Sequence, residues 1–142
     1  MTFDDIILTP LSRIETPGGD VLHVMKQADT GYNGFGEAYF SWVSSGAVKA
    51  WKCHTRMTMN LVVPLGQVRF VFRLVNALGV EEFRVEEIGV DCYSRITVPP
   101  GIWFGFQGIC TPQSLVLNIA SMPHDPNEVE RCALSDIKYD WR

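Results

Sequence analysis

Two side chains that can hold or move a proton lie one residue apart in this chain, Lys52 and His54, within Lys49-Ala50-Trp51-Lys52-Cys53-His54. Glycines bracket them at fixed distances: Gly46, five residues, Lys52, one residue, His54, four residues, Met59, six residues, Gly66. Alternate side chains of a strand share a face, so Lys52 and His54 point the same way, roughly 7 Å apart at Cα. A lysine turned into an apolar interior is costly unless it is paired or used. Burial lowers its pKa, which suits a proton-abstracting base. The plainer alternative is a lysine that snorkels to the surface beside a core histidine. Their pairing on one face favours the chemical reading.

The elements that must position them are short and β-rich. The 142 residues are enough for one domain with a real core. Runs of β-formers recur between Gly, Pro and Asn: 20–26, 37–43, 47–54, 60–65, 68–75, 81–87, 93–98, 102–107 and 114–121. In 68–75, Val68, Phe70, Phe72 and Leu74 alternate with Arg69, Val71, Arg73 and Val75. Asn76-Ala77-Leu78-Gly79 reads as a hairpin turn, and 81–87 as its edge-facing partner. The expectation is an all-β sandwich or barrel with its core at about 20–122 and a tail at 123–142 that is irregular apart from a helical turn around 127–131. Regular alternation sets Lys49 on the face opposite Lys52.

Several function classes are disfavoured. The formal charge is −4 with no basic run, which argues against nucleic-acid binding. Met1–Thr9 lacks the pattern of a signal peptide, and no apolar stretch is long enough to span a membrane. Cys53, Cys92, Cys110 and Cys132 show no zinc spacing and read as free thiols in a cytoplasmic protein.

The Gly46–Gly66 frame resembles the first motif of the cupins, whose fold is a double-stranded β-helix, or jelly-roll, barrel. Metal-binding cupins hold His, His and Glu where this chain holds Lys52, His54 and Met59. The second cupin motif falls on Pro99-Pro100-Gly101, with Phe104 in its histidine position, Gly108 in its asparagine position and Tyr93 in place of its first glycine. One histidine does not make a transition-metal site, so neither metal nor other cofactor is expected.

A narrower resemblance follows. Val98-Pro99-Pro100-Gly101-Ile102-Trp103-Phe104-Gly105-Phe106 is similar to the Val-Pro-x-Gly-Phe-x-His-Gly-Phe segment of dTDP-4-dehydrorhamnose 3,5-epimerases. The tail from Pro126 through Glu130-Arg131 to Tyr139-Asp140-Trp141 resembles that family's ending, and Lys49–Lys52 falls on its Arg-Gly-Leu-His. Gly34 to Ser41, Lys49 to His54 and His124 to Glu128 also resemble a shorter subgroup associated with deoxysugar and polysaccharide genes.

The resemblance implies proton abstraction beside the keto group of a nucleoside-diphosphate 4-keto-6-deoxyhexose. In the family a histidine is the base, an aspartate orients it and a tyrosine returns the proton. This chain puts Lys52 at the base position, Asn118 at the tyrosine position and Phe104 at the second histidine. The orienting aspartate's position falls beyond Arg142. The candidate catalytic residues are therefore Lys52, His54 and His124. The candidate substrate-binding residues are Lys49, Arg56, Arg69, Phe104 and Asn118, with Arg56, Arg69 and Arg73 as cations for a diphosphate. The competing function is a non-catalytic cupin that binds a nucleotide sugar or carbohydrate. The resemblance also implies a homodimer.

Overall fold

The computed structural model describes residues 2–142. Its strands are β1 (Ile7–Pro10), β2 (Arg13–Ile14), β3 (Val21–Leu22), β4 (Glu37–Ser44), β5 (Val48–His54), β6 (Met59–Leu65), β7 (Gln67–Val75), β8 (Glu81–Gly89), β9 (Ser94–Val98), β10 (Trp103–Gly108), β11 (Gln113–Ala120) and β12 (Val129–Arg131). The only helices among the described residues are 3₁₀ turns at Phe3–Asp5 and Leu134–Asp136. None is long and apolar enough to cross a membrane.

Two five-stranded antiparallel sheets face each other, ordered β1-β9-β6-β11-β4 and β12-β5-β10-β7-β8. This is the jelly-roll arrangement expected of a cupin. Alternation decides the core. Met59, Leu61, Val63, Ile96, Val98 and Val116 from the first sheet meet Val68, Phe70, Phe72, Phe104 and Phe106 from the second. Outward on β7, Arg69 and Arg73 bond Glu87 and Glu81 of β8 at 2.7 and 2.8 Å. The tight β6–β7 turn explains half of the glycine frame. Gly66 has φ +82°, and a side chain there would also strike Ser114.

The sequence boundaries need two corrections. The barrel does not begin near residue 20, because β1 pairs with β9 and extends the first sheet from Ile7. The tail has no helical turn at 127–131: Val129–Arg131 is a strand that adds to the open edge of β5. Beyond it, Ile137, Tyr139 and Trp141 pack over the outward-facing Trp51, whose indole N–H donates to the Leu134 carbonyl at 3.2 Å.

The segment between β3 and β4 lies over the outer face of the first sheet. The fully buried Arg95 anchors it by donating to the Val24 and Thr30 carbonyls at 2.6 and 3.1 Å. Asn60 donates to the Gly31 carbonyl at 3.0 Å.

Candidate active site

β5 is not regular, and that irregularity builds the site. Against β10, Lys52 pairs with Phe104 and Ala50 with Gly105, while Lys49 pairs with Phe106; the register shifts between Phe104 and Gly105. One extra residue in β5 is a β-bulge, and it reverses the phase of alternation. Lys49 and Lys52 therefore come to the same side, contrary to the expectation from a regular strand. Trp51, the bulged residue, is turned outward beneath the tail.

Both lysines line a pocket of about 400 Å³ together with Ser41, Phe106, Arg131 and Cys132. Ser41, Lys52 and Phe106 also border a smaller interior cavity of about 30 Å³, lined by Tyr39, Met59, Leu61, Phe104, Val116 and Asn118. The inner space suits a water molecule, whereas the outer has the volume of a small-ligand site. Lys52 stands at their junction, its ammonium 5.9 Å from the centre of the Phe104 ring. A larger depression of about 850 Å³ runs along residues 133–141 but is lined by that one segment alone.

Burial pushes the Lys52 amine below its ordinary pKa, and the nearby positive charges of Arg131 and Lys49 push it the same way. Among the described residues Lys49, Lys52 and Arg131 have no carboxylate partner within ion-pair distance. Lys49 instead donates to the Trp42 carbonyl of β4 at 2.6 Å, bridging the seam between the sheets.

His54 lies deeper, buried against Phe104 with ring centroids 6.3 Å apart. Its Nδ1 is hydrogen-bonded to the carboxylate of Glu128, which is itself 1% exposed. The other carboxylate oxygen accepts the backbone N–H groups of Arg56 and Met57, both at 3.1 Å. Burial opposes ionisation of Glu128, but the bonds from His54 and the two amides outweigh it and hold the carboxyl below its ordinary value. For His54, burial prevails over the raising effect of Glu128, and the pKa falls. The pair is thus a neutral imidazole donating from Nδ1 to a carboxylate. Its Nε2 lone pair is buried without a hydrogen-bond partner.

Asn118 and Tyr39 face each other across β11 and β4. The Asn118 amide donates to the tyrosine hydroxyl at 3.1 Å, and its own carbonyl oxygen is buried without a partner.

The structure thus brings Lys52, Phe104 and Asn118 to the inner cavity, Lys49 to the outer pocket, and His54 behind Phe104. It does not bring the other candidates there. Arg69 lies outside the barrel, bonded to Glu87 and Gln107. Arg56 is exposed and bonded to Asp125 at 2.8 Å. His124 is exposed on the approach to β12 and lines neither space.

Three residues with functional groups at the site escaped the assignment: Glu128, Arg131 and Tyr39. Each lies in a segment that carries the family resemblance, Glu128 in His124–Glu128, Arg131 in the tail and Tyr39 in Gly34–Ser41. The sequence offered no means of pairing a tail carboxylate with β5. Metal-type clusters of three or more His, Cys, Asp or Glu do not occur among the described residues.

No protein-family model matches the chain, and no curated protein matches it by sequence. Solved structures do match. A dTDP sugar isomerase from Desulfovibrio desulfuricans superposes with TM-score 0.88 at 32% identity, covering 96% of this chain and 90% of its own. A dTDP-4-dehydrorhamnose 3,5-epimerase from Sulfolobus tokodaii gives TM-score 0.80 at 20% identity, covering 95% and 81%. A sugar 3,4-ketoisomerase from Thermoanaerobacterium thermosaccharolyticum, solved with TDP, gives 0.77 at 14%, covering 92% and 90%. The fold and the first of these matches define the class as a cupin of the sugar-isomerase type. The chain belongs to the family of the dTDP sugar isomerase.

Proposed function

We propose that this protein is a metal-independent sugar-nucleotide epimerase or isomerase that acts beside the keto group of a nucleoside-diphosphate 4-keto-6-deoxyhexose. The observation that carries the reading is the half-buried Lys52, depressed in pKa and without a counter-ion, at the floor of a pocket of ligand size. A 3,4-ketoisomerase of the same fold has been solved with TDP-4-keto-6-deoxyglucose, which supports the substrate class.

The cations divide between two tasks. Lys49 and Arg131, exposed on the pocket rim, attract the diphosphate. Lys52, as a neutral amine, takes the proton from the carbon next to the carbonyl; the C–H electrons pass into the C–C bond and the oxygen becomes an enolate. The Lys52 ammonium formed in this step stabilises that oxyanion in a low-dielectric site. Tyr39 belongs to the facing sheet. Its hydroxyl gives a proton to the opposite face of the carbon, and Asn118 hydrogen-bonds the phenolate that results. The proton on Lys52 then returns to Tyr39 through water, restoring both groups. His54, held by Glu128, is a positioning residue that fixes the inner end of β5.

Proton NMR of a dTDP-4-keto-6-deoxyhexose in D₂O tests the reading. Deuterium enters at C3 or C5 with the native protein and fails to enter with Lys52→Ala. Incorporation that survives Lys52→Ala excludes Lys52 as the base. Saturable binding with no incorporation by the native protein leaves a non-catalytic nucleotide-sugar binder.

A further inference from the structure

Three cations meet at the outer pocket with no anion among them. Lys49 and Lys52 come from β5, and Arg131 from β12, where it pairs directly with Lys52 across the strands. No side chain of the outer pocket or the inner cavity is a carboxylate. The one other ionisable group at the outer pocket is Cys132, whose thiol is pushed up in pKa by burial and stays protonated.

Two polar atoms beside the inner cavity are also unspent. The carbonyl oxygen of Asn118, a residue 3% exposed, accepts no hydrogen bond. The Tyr39 hydroxyl accepts from the Asn118 amide at 3.1 Å, which leaves its own hydrogen free to donate. Buried groups without partners call for an explanation. The partner that fits here brings one donor for Asn118 and negatively charged acceptors for Tyr39, Lys49 and Arg131.

We infer that Lys52 is a carbamylation site: its side-chain nitrogen adds carbon dioxide and becomes a carbamate in the space shared by the two cavities. The reaction needs an amine free of its proton, a condition that burial and the charges of Arg131 and Lys49 favour. The nitrogen lone pair forms the N–C bond, one C=O electron pair moves onto oxygen, and the nitrogen releases a proton to water. Nothing is oxidised or reduced. The product keeps one N–H, which suits the Asn118 oxygen. It gains two oxygens that share a negative charge, which suit Tyr39, Lys49 and Arg131 as charge-assisted partners. The added atoms have room, because the outer pocket of about 400 Å³ opens onto the lysine. A fully ionised free anion would answer the cations but bring no donor to Asn118. Lys26 and Lys138 are exposed and line neither space.

The consequence for catalysis rests on the function proposed above. The lone pair of a carbamate nitrogen is delocalised and takes no proton from carbon. Carbon dioxide therefore switches the base off, and a nucleotide sugar competes with it for Lys49 and Arg131.

Carbon-13 NMR of the native protein in labelled bicarbonate tests the site with no sugar present. A carbamate resonance appears, separate from bicarbonate, dissolved carbon dioxide and the carbamate of the α-amino group. Lys52→Met abolishes it, and Arg131→Gln weakens it by about twofold or more. Lys138→Met, at an exposed lysine, leaves it unchanged. If Lys52→Met fails to fold, triethyloxonium fixes the carbamate of the native protein as its ethyl ester, and peptide mass mapping finds the ester on Lys52. No resonance beyond that of the α-amino group, one that persists in Lys52→Met or stays at full strength in Arg131→Gln, or an ester found only elsewhere overturns the proposal. In a second arm, deuterium incorporation at low substrate falls about twofold at the carbon dioxide pressure that half-forms the resonance. A Lys52 resonance with incorporation unmoved supports the modification and excludes Lys52 as the base, so the two readings fail separately.

Discussion

Strands β5 and β7 flank β10 in the same sheet, and their cations have opposite fates. On β7 alternation is unbroken. Phe70 and Phe72 fill the core, and Arg69 and Arg73 face outward, each matched by a glutamate on β8. On β5 a bulge turns Lys49 and Lys52 to one side, where the nearest cross-strand charge is Arg131, another cation. A paired cation on a regular strand serves the sheet. A cation held half-buried beside like charges costs stability and is kept for something else.

The largest expected effect comes from removing the distinction at its centre. Lys52→Met lowers deuterium incorporation by roughly 10²- to 10⁴-fold, the usual contribution of a general base. The same variant unfolds at a higher temperature than the native protein, since a thioether of similar length replaces an amine that resists being buried with its charge. Activity lost together with stability would break the comparison, because it would show Lys52 supporting the fold as Arg73 does.

Next is the carboxylate beneath β5. Glu128→Ala leaves His54 and two backbone amides without their acceptor, a loss of about 3 kcal/mol, or roughly 10 °C in the unfolding midpoint. Imidazole NMR follows the cause: His54 loses its Nδ1 hydrogen-bonded proton signal in the variant. In the native protein Glu128 is ionised in the fold at pH values where the unfolded chain binds a proton. Its contribution is therefore full above the ordinary 4.5 and declines as pH falls through the lowered folded value.

A smaller effect reads the charges around Lys52. The folded pKa lies below the ordinary 10.5, so between the two values the unfolded chain binds more protons and stability rises with pH. Incorporation at saturating substrate likewise rises with pH and levels off once Lys52 is neutral. Arg131→Gln removes a neighbouring positive charge and moves that rise to higher pH, whereas Arg73→Gln leaves it in place. The smallest effect is on β7 itself. Arg73→Ala changes stability by about 1 kcal/mol or less by thermal melts, as expected of a partly exposed ion pair at the surface.

The same contrast marks what could be read from sequence. β7, with its eight alternating residues and a hairpin turn, was legible because regular alternation is local. So was the Gly46–Gly66 frame, where both glycines take positive φ. Assigning Lys52, Phe104 and Asn118 to one site followed from the family resemblance, and all three line the inner cavity. The position of Lys49 did not, since the bulge exists only in the register between β5 and β10. Arg69 misled because an arginine on a strand says nothing of which face the glutamates of a later strand will cover. Glu128 was hidden for a like reason: its partner is 74 residues away in the chain. β12 is too short to declare itself by periodicity, and only its addition to β5 makes it a strand.

That late addition has a consequence for how the chain is divided. The strands that close the barrel, β1 to β11, all precede Glu128 and Arg131 in the order of synthesis. A chain cut after β11 therefore keeps the strands of the main core while β5 lacks its neighbour, His54 its acceptor and the pocket one of its cations. The strands that build the main core and the segment that completes the site are thus distinct parts of the chain.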